Sequence, residues 1–143
     1  MTLEDPYEEE SFMDFAATTD KLAEKVKIIG DDLYTTNTER IRTGIQRKAT
    51  NAVLIKPNQV GTVTETLEAI ALSKEARLAV IISHRSGETE DTFISHLATA
   101  VESSFIKSGA PSRGERTAKY NELLRIEEDL GTSALFAGTL LVR

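Results

Sequence analysis

The chain has 143 residues, 40% hydrophobic and 28% charged, enough for one ordinary globular domain. It contains no cysteine, which removes disulfides and thiolate metal sites, and no apolar run approaches the ~18 residues that cross a bilayer. A formal net charge of −6 without a basic stripe argues against nucleic acid as a partner. No secretory signal is visible either, so the expected location is cytoplasmic.

Met1 to Pro6 reads as the tip of a strand. Ser11 to about Lys25 carries a helical apolar pattern (Phe12, Met13, Phe15, Ala16, Leu22, Ala23), weakened in its middle by Thr18, Thr19 and Asp20. Val26 to Ile29 is a short strand that ends in Gly30-Asp31-Asp32. Thr36 or Asn37 caps a helix that runs to about Lys48, with Ile41 and Ile45 inward. Ala52 to Ile55 is the next strand, running into Lys56-Pro57-Asn58-Gln59. A helix starting at Thr62 or Thr64 follows, and Val63, Leu67, Ile70, Ala71 and Lys74 fit its 3.6-residue period.

Leu78 to Ile82 is short, apolar and rich in β-branched residues, the pattern of a strand buried on both faces. Thr92 to about Ser103 is helical, with Phe93, Ile94, Leu97 and Val101 inward. Phe105-Ile106 is a last strand ending at Lys107. Arg113 to Leu130 is the longest helix, with Ala118, Leu123, Leu124, Ile126 and Leu130 as core candidates and Gly131 as its C-cap. The segment from Thr132 to Arg143 has no clear period. Strands separated by helices imply parallel pairing, so the expected class is α/β, within a single domain spanning 1–143.

Each expected strand ends on a residue with chemistry to offer: Glu4, Asp31 with Asp32, Lys56, His84 with Arg85, and Lys107. In parallel α/β folds the C-terminal strand ends are where chemistry is placed, and these side chains are expected to converge on one mouth. The stretch Ser83 to Thr92 joins an imidazole, a guanidinium, a hydroxyl and a glycine, a set suited to an anionic, phosphorylated ligand. Two carboxylates can hold Mg²⁺, a hard ion that takes oxygen ligands. A neutral lysine beside it is a base able to remove a proton α to a carboxylate. His96 falls inside a helix and reads as structural.

These residues also carry a resemblance. TLEDPYEEE, GDDLYTTN, LIKPNQVGTVTET, SHRSGETEDT, IKSGAPSRGERTAKYN and LLRIEEDLG resemble, in order, successive signatures of the enolases, the phosphopyruvate hydratases of glycolysis. The resemblance implies half of an enolase-type TIM-like barrel, about four β/α units and a strand tip. It implies a lyase acting on 2-phosphoglycerate and phosphoenolpyruvate with Mg²⁺ as cofactor. Glu4 and Asp31 then match metal ligands, Lys56 the base at C2, and Arg85 and Ser86 residues that hold the phosphate. His84 matches an active-site histidine, and Lys107 the lysine on the substrate carboxylate.

The resemblance stops at the second half of the barrel. The small N-terminal domain, a third metal-ligand aspartate and the glutamates that assist loss of the hydroxyl have no counterpart here. Half a barrel exposes its edges, so the chain is expected to pair with a complementary N-terminal half or with itself. The alternative is a non-catalytic enolase-derived binding or structural module, or an inactive fragment. The ending Thr139-Leu140-Leu141-Val142 also replaces the family's usual polar tail.

Overall fold

A computed structural model describes residues 1–135 of the chain. Strands are separated by helices: β1 (Thr2–Glu4), α1 (Phe12–Leu22), β2 (Lys27–Gly30), α2 (Thr38–Arg47), β3 (Ala52–Ile55), α3 (Pro57–Val60) and α4 (Val63–Glu75). Then come β4 (Ala79–Ser83), α5 (Phe93–Ala100), β5 (Phe105–Lys107), α6 (Gly114–Leu130) and a 3-10 turn at Gly131–Ser133. The fold is α/β, as expected. It divides into two compact units, Met1–Ile81 and Ile82–Arg143, and the division falls inside β4. The altered ending at Thr139 to Val142 lies outside the described residues.

In the first unit β1, β2, β3 and β4 stand side by side in sequence order. β1 with β2 and β2 with β3 pair in parallel, with Leu3 opposite Ile28 and Gly30 opposite Val53. All four residues of β3 are buried, as its unbroken apolar run requires. Ile29, Ala52, Leu54 and Ile81 form a core cluster across neighbouring strands. The threonines expected to weaken α1 do not break it, because the Thr19 hydroxyl donates to the Ala49 carbonyl at 2.7 Å and is buried satisfied.

α2 is capped by Asn37, whose side-chain oxygen accepts from the Glu39 and Arg40 amides, and not by Thr36. The residue buried one turn after Ile41 on its inner face is Gly44, while Ile45 is half-buried. Tyr34 accounts for this. It is fully buried and is the largest enclosed side chain among the described residues. A Cβ at Gly44 would stand 2.2 Å from the Tyr34 hydroxyl, and one at Gly30 2.6 Å from its ring. The hydroxyl shares a 2.7 Å hydrogen bond with Thr50.

α4 starts at Thr62, which accepts from the Glu65 amide and donates to the Glu65 carboxylate, a reciprocal cap. Its inner face differs from the one expected. Thr66, Ala69, Ile70 and Ser73 are buried, while Val63 is 50% and Leu67 43% exposed, and Ala71 and Lys74 also face out. The hydroxyls of Thr66 and Ser73 donate to the carbonyls of Thr62 and Ala69, four residues back. So satisfied, they pack as small apolar groups, and hydropathy misjudges them.

In the second unit the chain end of β4 pairs with β5, the His84 amide donating to the Lys107 carbonyl at 3.0 Å. α5 buries Ile94, Ser95, Leu97 and Ala98, whereas Phe93 is largely exposed and Val101 half-buried, contrary to expectation. α6 departs further. Its one buried residue is Lys119, and two of its expected core residues, Leu124 and Leu130, are exposed. Its length and its Gly131 C-cap agree with the sequence.

Candidate active site

Five of the positions expected to form the site stand where strands end. Glu4 closes β1, Asp31 follows β2, Lys56 follows β3, His84 follows β4 and Lys107 closes β5. In the first unit the parallel register of β2 and β3 brings two of them together. Lys56 Nζ lies 2.7 Å from both carboxylate oxygens of Asp31, with side-chain exposures of 13% and 9%. The main chain of Lys56 is held as firmly. Its amide donates to Thr36 Oγ1 at 2.9 Å, and that hydroxyl donates to Gln59 Oε1 at 2.6 Å. Thr35 and Thr36 both have left-handed φ values, 47° and 58°, which β-branched residues adopt at a cost.

Asp5 belongs to the same corner, and nothing in its sequence context singled it out beside Glu4. Its carboxylate accepts from the Asp31 and Asp32 amides at 2.9 and 2.7 Å, tying β1 to the turn after β2. Burial raises its carboxyl above the ordinary 3.8; the two amides oppose that rise, and the charges of Asp31 and Asp32 add to it. Ligand atoms of Asp5, Asp31 and Asp32 lie within 4.8 Å of one another, while Glu4 is exposed. These donors are all carboxylate oxygens, so their chemistry fits a hard divalent ion. Asp31 gives both its oxygens to Lys56, so the ammonium and any such ion compete for one carboxylate.

In the second unit the loop after β4 closes on Glu88, whose carboxylate accepts from the Arg85 and Thr89 amides at 3.2 and 3.0 Å. Arg85, Ser86 and Lys107 are exposed, and His84 is half-buried. His84 Nδ1 and Ser108 Oγ are buried without a hydrogen-bond partner among the described residues. A buried polar atom left unpaired costs ~1–3 kcal/mol, so both atoms call for a partner, whether water or a ligand group. Ser108, the residue after β5, was missed by sequence reasoning, and its position directly behind a strand-end lysine was the available signal. His96 Nε2 pairs with Glu122 at 2.9 Å, a tie from α5 to α6.

Burial depresses the protonation of His84 below the ordinary 6.5; Glu88 opposes this, while the charges of Arg116, Lys107 and Lys119 reinforce it. The imidazole is therefore neutral at pH 7. As pH falls below 6.5 the unfolded chain takes up this proton before the folded one, so folding weakens through that window. Imidazole nitrogen shifts followed by NMR should give a midpoint under 6.5, and Glu88→Gln should lower it further. An unshifted midpoint in both proteins would contradict the burial argument.

Comparison with known proteins agrees with the fold. Residues 1–143 match the family model of the enolase C-terminal TIM barrel domain. The enolase of Mycobacterium leprae (strain TN) is 54% identical over 140 residues, covering 98% of this chain. The chain spans 33% of that relative's length.

Proposed function

The chain belongs to the enolase family, as part of its C-terminal barrel domain, and from that premise we propose that it forms one half of a split, Mg²⁺-dependent phosphopyruvate hydratase. In this reading residues 1–143 are a single partial barrel domain of a cytoplasmic glycolytic enzyme. The remaining barrel comes from a complementary polypeptide or from a second copy of the chain. Support for association comes from β1, whose three residues are all exposed at the outer edge of the first unit.

The reaction is the reversible dehydration of 2-phosphoglycerate to phosphoenolpyruvate. Lys56 takes the proton from C2 and Lys107 pairs with the substrate carboxylate. Arg85 and Ser86 grip the phosphate, the guanidinium by charge-assisted bonds and the hydroxyl as a neutral donor. His84, neutral at pH 7, offers a hydrogen bond beside the reacting carbons. Glu4 and Asp31 would hold Mg²⁺, which when bound supplies positive charge to offset the substrate's anionic groups.

The observation that carries the proposal is the Lys56–Asp31 pair, a prospective base and a prospective metal ligand joined across adjacent strand ends. The test mixes the chain with a polypeptide covering the other two thirds of the M. leprae relative. Phosphoenolpyruvate should appear only when both polypeptides and Mg²⁺ are present, and light scattering should find an assembly larger than the chain. No turnover with that polypeptide or with the chain alone would overturn the proposal.

A further inference from the structure

Lys119 is a lysine in the middle of a solvent-facing helix, yet its side chain is only 2% exposed. An ammonium is rarely enclosed to that degree unless each of its donors has an acceptor. Here each does. Nζ donates to the Glu115 carbonyl at 2.8 Å and to the Thr89 carbonyl, and lies 3.6 Å from Glu88 Oε1. One of these acceptors is on its own helix. The other two belong to the loop that follows β4.

Glu88 is also the residue that closes that loop, through the Arg85 and Thr89 amides. The buried ammonium therefore holds the loop at the carboxylate that clasps it. One further contact places the loop against α6, and a second ties α5 to the same helix. Glu90's carboxylate lies over the start of α6, where a Cβ at Gly114 would meet it at 2.6 Å, and Ser95 donates to the Lys119 carbonyl at 2.9 Å. The Glu88 carboxylate is thus shared between a buried charge on one side and the Arg85 amide on the other.

We propose that Lys119 is a positioning residue: it pins the loop that presents His84, Arg85 and Ser86, and so sets the affinity of that loop for the phosphate group of the substrate. This deepens the functional reading above and rests on it for the identity of the ligand. Lys119 touches no reacting atom, and its effect passes through Glu88 and Thr89. Removing the ammonium leaves the Glu88 carboxylate without its cation and the Thr89 carbonyl without its donor. The loop then loses the anchor that fixes its register on α6.

The test uses the full chain, with amide hydrogen exchange as the first readout. In Lys119→Met the Arg85 and Thr89 amides should exchange about tenfold faster, while those of β3 stay at the wild-type rate. Glu88→Gln, which leaves the lysine in place, should give a smaller rise at the same two amides. Lys119→Arg should restore part of the protection. The second readout is titration of the chain, assembled with the complementary polypeptide and Mg²⁺, with 2-phosphoglycerate, whose affinity should fall about tenfold in Lys119→Met and recover in part in Lys119→Arg.

Unchanged loop exchange in both Lys119→Met and Glu88→Gln would overturn the proposal, as would a uniform rise over the whole unit. Faster loop exchange with unaltered 2-phosphoglycerate affinity would overturn it too, since Lys119 would then be structural only. If the wild-type chain, assembled with the complementary polypeptide and Mg²⁺, fails to bind 2-phosphoglycerate, the functional reading fails, and with it the ligand named here, whereas the exchange data still decide the pin.

Discussion

Lys56→Ala is expected to slow phosphoenolpyruvate formation in the assembled enzyme by ~10²–10⁴-fold, the contribution of a positioned base. The loss should fall on kcat with little change in KM, because the proposed roles give the substrate's charged groups to other residues. Nζ in the structure is a donor twice over to Asp31. An amine that is to accept a proton from carbon must first leave that carboxylate. Removing the lysine also leaves Asp31 nearly enclosed without its cation, and breaking such a pair costs ~3–5 kcal/mol when burial is complete. The double variant Lys56→Ala, Asp31→Asn separates the two effects, since it removes the stranded charge and should recover stability without recovering turnover. Steady-state rates and urea midpoints measured side by side decide it. Wild-type turnover in Lys56→Ala would rule the lysine out as the base.

Tyr34→Ala should destabilise the first unit by ~3–5 kcal/mol, the range for truncating a buried aromatic. Total stabilities of single domains are ~5–15 kcal/mol, so much of the folded population is at stake. The ring fills the space left by Gly30 and Gly44, stands 6.4 Å from the Phe12 ring, and its hydroxyl serves Thr50. Burial pushes its phenol from 10.0 up to about 12, with the Thr50 hydrogen bond opposing and the Asp5 charge adding to the rise. The folded state keeps this proton longer than the unfolded chain, so its contribution is full below pH 10 and is lost as pH climbs through 12. Tyr34→Phe should remove that alkaline loss at a cost of about 1 kcal/mol for the missing hydrogen bond. Urea unfolding at pH 7 and at pH 11 measures both effects.

The strands were legible because their signal is local. β3 is four apolar residues between polar ones, and its bounds agree residue for residue. Lys56, His84 and Lys107 were legible for the same reason, since a strand end is visible in the pattern. The faces of α4 and α6 were not. Hydropathy counts Thr66 and Ser73 as polar, although their own helix satisfies both hydroxyls. It counts Lys119 as solvent-facing, although acceptors from a loop 30 residues earlier enclose it. Asp5 was passed over because its partners are amides of a turn 26 residues away. What stayed hidden in each case was a hydrogen bond whose other end lay on a different element, or on the helix's own backbone.

The left-handed pair Thr35–Thr36 has a consequence for how Lys56 works. Its hydroxyl receives the Lys56 amide on one side and gives its proton to Gln59 on the other, so the root of the lysine is fixed before any ligand arrives. In the proposed mechanism part of the entropy of placing that lysine is therefore spent during folding, and catalysis starts from a preorganised backbone.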